Sequence, residues 1–176
     1  MKKKSVPALA FILMALVTVQ AQDRETFAYK ISEISLTNFH RLVVNTDVDV
    51  VLLQNDTLKK AFIEGDEKLV TGIRIFIVNG VMTISSTRHP SYKGKVQVTV
   101  AVNNLSRLEI NAAAGIASVN TLQSPELSVI INGDCYLQLS STGHISFTGA
   151  GAHEVAYVRT EKKASRTIDY YENLSN

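Results

Sequence analysis

The sequence predicts an all-β domain, with short strands in a repeated β-solenoid-like arrangement and an N-terminal hairpin region. Val, Ile and Thr make up 42 of the 155 residues from Gln22 to Asn176, and such β-branched side chains pack well on pleated surfaces. Apolar and polar residues alternate with period two along most of this part, whereas no long stretch shows the 3.6-residue period of a helix. A short pattern also recurs in the second half of the chain, as in repeat proteins.

Residues 1–21 have the pattern of a secretory signal. Lys2 to Lys4 are basic, Ala8 to Val17 is an unbroken apolar run, and Val19-Gln20-Ala21 matches a small-x-small cleavage site. Ten apolar residues are too few to cross a bilayer, and Gln22 stands where a lipoprotein needs cysteine. We therefore expect an exported protein, periplasmic or at the cell surface or extracellular, with no membrane span after cleavage.

The net charge gives no reason to expect a nucleic-acid partner. The 176-residue chain has 18 basic and 16 acidic side chains, a formal charge of +2. Residues 1–21 hold three lysines and no acid, so the remainder has 15 basic and 16 acidic side chains and a charge of −1. A protein that binds phosphate backbones usually carries a basic surface.

The alternation predicts individual strands in the first half of the chain. Asn79-Gly80 accepts the positive φ angles of a type I′ turn, so Ile75 to Ile84 should form a hairpin. The other strands expected here cover residues 42–44, 48–53, 61–64 and 96–102. The best helix candidate is Glu161 to Arg166, which is short and polar.

The second half contains three imperfect copies of one pattern. Ile110–Ile116 aligns with Ile131–Leu137, and Ile131–Leu137 aligns more loosely with Phe147–His153. Such copies predict the rungs of a single-stranded parallel β-helix-like solenoid, with Asn111, Asn132 and Thr148 stacked as a polar ladder. A β-sandwich with similar turns is the alternative.

The order of these motifs resembles a known family. The chain reads Phe39-x-x-Leu42-x-Val44, then Val48-Asp49-Val50, then the Asn79-Gly80 hairpin, then Val98-x-Val100-x-x-Asn103-x-Leu105, then the small-residue repeats. From Phe39 to Val158 this is similar to the putative auto-transporter adhesin, head GIN domain family. The resemblance implies a β-solenoid-like fold in exported proteins, mainly of Bacteroidota-type bacteria, with no established catalytic residues.

The repeats depart from the family's usual core. Ala112 and Ala114 stand where glycines are usual, Cys135 replaces another glycine, and His153 occupies a usually aliphatic position. The domain organisation we expect is a signal peptide at 1–21, a lead-in at 22–38, the solenoid-like domain at 39–158 and a C-terminal cap or tail at 159–176.

The residues do not form a familiar catalytic or cofactor motif, so we expect a non-enzyme without cofactor or metal. The four histidines form no helical metal-binding pair, there is no G-x-S-x-G elbow, and Gly149-Ala150-Gly151 lacks the third glycine of a dinucleotide fingerprint. A two-histidine site from His144 and His153 is the alternative. Cys135 shares its parity with Leu137 and should be a buried thiol, the alternative being a bridge between two chains.

Four residues are candidates for a binding surface. Tyr136 and Tyr157 could project outward and stack on sugars. Asp47 and Asp49 flank Val48 and would share a strand face about 7 Å apart, where carboxylates can serve acid–base chemistry or calcium or simply be solvated. We expect a binding or adhesin-like module for a protein or glycan at the cell envelope. The alternatives are a carbohydrate-active β-helix enzyme and a purely structural envelope scaffold.

Overall fold

The computed structural model describes residues 28–88, 95–149, 153–159 and 169–172. Of these, 64% lie in β-strands and almost none in a helix. The predicted signal peptide and the predicted helix at Glu161–Arg166 lie outside the described residues. In chain order the elements are β1 (Tyr29–Ser35), β2 (Arg41–Val44), β3 (Val48–Gln54), β4 (Lys60–Asp66), α1 (Glu67–Val70), β5 (Ile73–Val78), β6 (Val81–Ser86), β7 (Val96–Val102), β8 (Arg107–Ile110), β9 (Ala114–Ser118), β10 (Glu126–Ile131), β11 (Cys135–Ser141), β12 (His144–Gly149), β13 (His153–Arg159) and β14 (Asp169–Glu172).

The strands form two sheets. The large sheet has eight strands in the order β1-β4-β7-β3-β9-β11-β13-β14, and the small sheet has six in the order β12-β10-β8-β2-β6-β5. The strands in the middle of both sheets pair in parallel, whereas β1–β4, β4–β7, β5–β6 and β13–β14 pair antiparallel. Both sheets are therefore mixed, and neither closes on itself.

Successive strands of the central part alternate between the two sheets. β2, β8, β10 and β12 lie in the small sheet, and β3, β9, β11 and β13, which follow them in turn, lie in the large sheet. The expected all-β class is confirmed. The expected solenoid is not, because antiparallel strands join both sheets and a sandwich-like arrangement of two sheets fits them.

The repeat alignment is right for the first two copies and wrong for the third. Ile131 pairs with Ile110 in the small sheet, and Cys135 pairs with Ala114 in the large sheet, both as the alignment predicts. Ile131 pairs with Gly149, however, and not with Phe147, which lies two positions earlier in the chain. A shift of two positions keeps every side chain on the same face of the sheet, so the hydrophobic pattern could not detect it.

The N-terminal half contains the expected hairpin and two elements that were not expected. Asn79 and Gly80 have φ angles of 52° and 73°, which suits the type I′ turn between β5 and β6. The short helix α1 follows Asp66, whose side chain accepts a hydrogen bond from the Lys68 backbone N–H at 2.8 Å. β1 was also unexpected, and it pairs with β4 along its whole length.

The core consists of aliphatic side chains from the inner faces of both sheets. Its largest fully buried side chains are Leu42, Leu52, Ile63, Met82, Ile84, Leu108, Ile110, Ile116, Leu122, Leu127, Ile131 and Leu137. Each removes apolar surface from water and contributes roughly 1.5–3 kcal/mol. The opposite side of each sheet faces solvent and carries the residues that could meet a partner.

Candidate functional site

The outer face of the large sheet carries a row of side chains that includes two of the predicted site residues. The paired register brings Gln97, Asp49, Gly115, Tyr136 and Glu154 side by side on five neighbouring strands. Neighbouring strands lie about 4.8 Å apart, so the α-carbons of Asp49 and Tyr136 are about 10 Å apart. The Tyr136 side chain is 47% exposed. Tyr136 and Asp49 therefore lie on one flat surface, which we call the Tyr136 row.

Gly115 separates the two residues and leaves space for the Asp49 carboxylate. A Cβ atom built on Gly115 would lie 2.6 Å from Asp49 Oδ1, so the carboxylate lies above the glycine. Among the described residues Asp49 forms no hydrogen bond or ion pair. Glu64, further along the row, differs because it accepts hydrogen bonds from Gln97 Nε2 at 2.5 Å and from the Tyr29 hydroxyl at 2.9 Å. The Asp49 carboxylate is thus available to a partner.

Asp47 has a structural role instead. It lies just before β3, and its Oδ1 accepts a hydrogen bond from the Ala113 backbone N–H at 3.2 Å. That bond ties the turn before β9 to the turn before β3. Asp47 and Asp49 therefore do not act as a free carboxylate pair.

Tyr157 does not accompany Tyr136 on the outer face. It pairs with Leu139, a buried residue of β11, and its ring packs on Phe147 with the ring centroids 5.6 Å apart. The side chain is partly buried against the hydrophobic core. The expectation that Tyr157 projects outward is wrong because it shares the parity of Val155, an inward residue of the same strand.

The outer face of the small sheet is held together by its own polar groups. Asn132 Nδ2 donates to Asn111 Oδ1 at 2.7 Å, and Asn111 Nδ2 donates to Asn45 Oδ1 at 2.8 Å. The predicted polar ladder is therefore present, but its third member is Asn45 and not Thr148. Thr148 pairs with Ile130 instead, because of the register of the third copy.

An ion pair on the same face joins strands that are distant in sequence. Arg41 on β2 donates a hydrogen bond to Glu109 on β8, and Arg107 approaches the same carboxylate at 3.9 Å. The hydrogen bond from Arg41 is the main reason that the pKa of Glu109 lies below its usual value. The Glu109 side chain is only 18% exposed, so this contact belongs to the packing of the sheet.

Cys135 is a partly buried thiol at the edge of the core. Burial, together with the nearby Asp134 carboxylate, raises the pKa of the Cys135 thiol to about 11. A thiol with so high a pKa is almost entirely protonated at neutral pH and is a poor nucleophile.

The sequence reasoning missed two features of these surfaces. Gln97, Gly115 and Glu154 join the Tyr136 row, and only the strand register could have shown that. The exposed Phe76 and Val78 of β5 form a third surface. A signal for that surface was present in the sequence, because Ile73 to Val78 has apolar residues at five of six positions and so cannot bury them all on one face.

Comparisons with known proteins identify the family. The family model of the putative auto-transporter adhesin, head GIN domain, matches residues 38–161. A comparison with curated protein sequences found no match. Among the residues that the structure describes, no helix has the length and hydropathy required to span a membrane.

Solved structures with the same fold are distant in sequence. A putative adhesin from Parabacteroides merdae has a TM-score of 0.61 at 18% identity, and the match covers 71% of this chain but 54% of that one. A putative adhesin from Parabacteroides distasonis has a TM-score of 0.51 at 15% identity, covering 73% and 65%. A putative lipid binding protein from the same species has a TM-score of 0.51 at 11% identity, covering 71% and 61%.

These likenesses concern the fold, and the chain spans only about half the length of the Parabacteroides merdae adhesin. The family match, in contrast, covers well over half of the chain and agrees with the motif order from Phe39 to Val158. The chain belongs to the putative auto-transporter adhesin, head GIN domain family.

Proposed function

We propose that this chain is a non-enzymatic, exported binding module of the cell envelope or cell surface, and that it binds a glycan or protein through the Tyr136 row. Membership of an adhesin-head family supports a binding role and an exported location. The central strands would act as stacked, solenoid-like rungs that present this flat surface.

The observation that carries the proposal is the exposed Tyr136 ring two strands from the Asp49 carboxylate, which has no hydrogen-bond or ion-pair partner among the described residues. An exposed aromatic ring can stack on the apolar face of a sugar, and an unpaired carboxylate accepts hydrogen bonds from hydroxyl groups. The exposed Glu154 adds a further polar group along the same row. On the small sheet the comparable polar groups are already bonded to one another.

The proposal can be tested by screening residues 22–176 against a glycan array and against envelope proteins. Any binding found should fall at least tenfold in Tyr136→Ala and in Asp49→Asn. Tyr29→Ala is the matched control, because Tyr29 is an exposed tyrosine on the same sheet, five strands away. Binding that is insensitive to both row variants would refute the assignment of the site.

Two outcomes would favour other functions. Release of reducing sugar that disappears in Asp49→Asn would indicate a carbohydrate-active enzyme. Self-association without any binding to glycans or envelope proteins would indicate a structural scaffold.

A further inference from the structure

The small sheet ends in an open edge at β5. In the described structure β5 pairs with β6 on one side and with no strand on the other. Phe76 and Val78, on its outer face, are 50% and 58% exposed. An edge strand with exposed apolar side chains is a template for another strand.

The backbone groups on the free side of β5 can be assigned from the hairpin register. Hydrogen-bonded and non-hydrogen-bonded pairs alternate along an antiparallel ladder. Gly72, just before β5, accepts a hydrogen bond from the Thr87 N–H at 3.0 Å. Every second residue from Gly72 to Val78 therefore bonds to β6, and the main-chain groups of Ile73, Ile75 and Ile77 point to the open edge.

The inner side chains of β5 are also incompletely covered. Ile75 and Ile77 point toward the core but are only partly buried, whereas their partners in β6, Ile84 and Met82, are completely buried. A strand placed next to β5 would finish burying both isoleucines.

The other edge in this region, β1, is protected by charge. Lys30 lies 4.0 Å from Glu67, and Glu33 forms an ion pair with Lys60 at 2.6 Å. Charged side chains on an edge strand discourage pairing with another chain. β5 has a single charged residue, Arg74, so the two edges are not equivalent.

The strand count indicates room for one strand. β2 and β3 follow each other in the chain and lie in different sheets. On the β5 side of β2, the small sheet has two more strands, β6 and β5. On the corresponding side of β3, the large sheet has three more strands, β7, β4 and β1. Counting the strands that the structure describes, the small sheet is thus one strand shorter at this end. A whole second copy of the chain would bring its own large sheet to the same place, whereas a single extended segment would not.

We propose that the open edge of β5 binds an extended segment of a partner protein as an added antiparallel strand. Its main-chain groups would bond those of Ile75 and Ile77, as in other β-augmentation complexes. Alternate residues of the segment must be apolar to cover the isoleucines. The partner segment also carries an acidic residue opposite Arg74. Arg74 Nη1 donates hydrogen bonds to the Thr71 and Ile73 carbonyls, which hold the guanidinium group at this edge.

The experiment uses the full chain and a fluorescein-labelled hexapeptide that copies β6 with one acidic change, Val-Met-Thr-Ile-Glu-Ser. In the register that β6 itself uses, its glutamate lies opposite Arg74. Binding is followed by fluorescence anisotropy. N-methylation of the second and fourth peptide residues, whose N–H groups would point at β5, should weaken binding about tenfold through two lost hydrogen bonds.

Matched controls keep the result independent of folding defects. N-methylation of the third and fifth residues should leave binding unchanged, because their N–H groups point away from β5. In the protein, Ile75→Pro removes an edge N–H that β6 does not use, and it should abolish binding while thermal melting confirms that the variant folds.

Three outcomes would overturn the proposal. The first is no binding of the unmodified peptide, and the second is equal loss with both methylation patterns. The third is a dimer of the chain alone that Ile75→Pro dissociates, because the edge would then be occupied by a second copy.

Discussion

The outer face of the small sheet and the part of the large sheet around Asp49 and Tyr136 use polar residues in opposite ways. On the small sheet, Asn45, Asn111 and Asn132 bond to one another, and Glu109 is held by Arg41. On the large sheet, Asp49 forms no such contact among the described residues, and Tyr136 is about half exposed. In both places, pairing of neighbouring strands brings the side chains next to one another.

This difference indicates which face contributes to stability and which is available for binding. A polar group that bonds a neighbouring strand loses that bond if a partner takes it, so it resists a new interaction. A polar group without a neighbour bonds only water and can exchange it for a partner at low cost. The following changes test the contrast, from the largest expected effect to the smallest.

Gly133→Val should have the largest effect, because it disturbs the stacking on which both faces depend. A Cβ at Gly133 would lie 2.5 Å from the Ala112 carbonyl oxygen, a backbone atom that cannot move aside. We expect the free energy of unfolding to fall by about 3 kcal/mol, measured by urea denaturation. Gly115→Ala is the control, because its Cβ would meet only the mobile Asp49 side chain. Equal losses would contradict the close approach of Gly133 to the Ala112 backbone.

Glu109→Gln should have the second largest effect, about 2 kcal/mol, because it weakens a charge-assisted hydrogen bond with Arg41. The pKa of Glu109 is lower in the folded chain than in the unfolded chain. Its stabilisation is therefore complete above the ordinary glutamate pKa of about 4.3 and declines as the pH falls through the lowered value. Denaturation curves from pH 7 to pH 2 should show this acid-dependent decline in the wild type and less of it in Glu109→Gln. Glu33→Gln, at an exposed pair, should change little.

Asn111→Ala should cost about 1 kcal/mol, because the central amide of the ladder bonds on both sides. Thermal melting monitored by circular dichroism would detect the change. Since Asn111 also donates to Glu109 at 3.2 Å, the double variant with Glu109→Gln should lose less than the two single variants together. Strict additivity would show that the ladder and the ion pair are independent.

Asp49→Ala should have the smallest effect on stability, within about 0.5 kcal/mol, because its carboxylate has no partner among the described residues. The same denaturation assay can compare it directly with Asn111→Ala. A loss as large as that of Asn111→Ala would remove the contrast between the two faces and weaken the case for the Tyr136 row.

Sequence reasoning predicted which face of a strand a side chain occupies, because that depends only on odd or even position. It did not predict which residues lie side by side on neighbouring strands, because that depends on the register. Period-two alternation located most strands and placed Tyr136 outside. It would also have placed Tyr157 inside, had that residue been compared with Val155. The third repeat was misaligned because Phe147 and Gly149 have the same parity. The sequence pattern therefore fits either residue beside Ile131.

The contacts between distant strands lay beyond what the sequence could show. Arg41 and Glu109 are 68 residues apart, and nothing local indicates that β2 neighbours β8. Asn45 joined the ladder for the same reason, since β2 lies outside the repeats from which the ladder was predicted. The place of Gly115 between Asp49 and Tyr136 likewise requires the strand order of the large sheet.

The uneven spacing of the parallel strands along the chain has a consequence for how the protein folds. In the small sheet β10 pairs with β8 and β12, and a single strand of the chain separates it from each of them. β2 pairs with β8 although β3 to β7 lie between them in the chain. Contacts between residues close in sequence close smaller loops and form sooner. Among the parallel pairs, we therefore expect those of the C-terminal repeats to form before the pair of β2 with β8.

Pulse-labelling hydrogen exchange can test this order of folding. Amides of β10 and β11 should become protected before those of β2, and the reverse order would exclude this route. Early pairing of the repeats would bring β9, β11 and β13, the strands around Tyr136, together before β2 joined the small sheet.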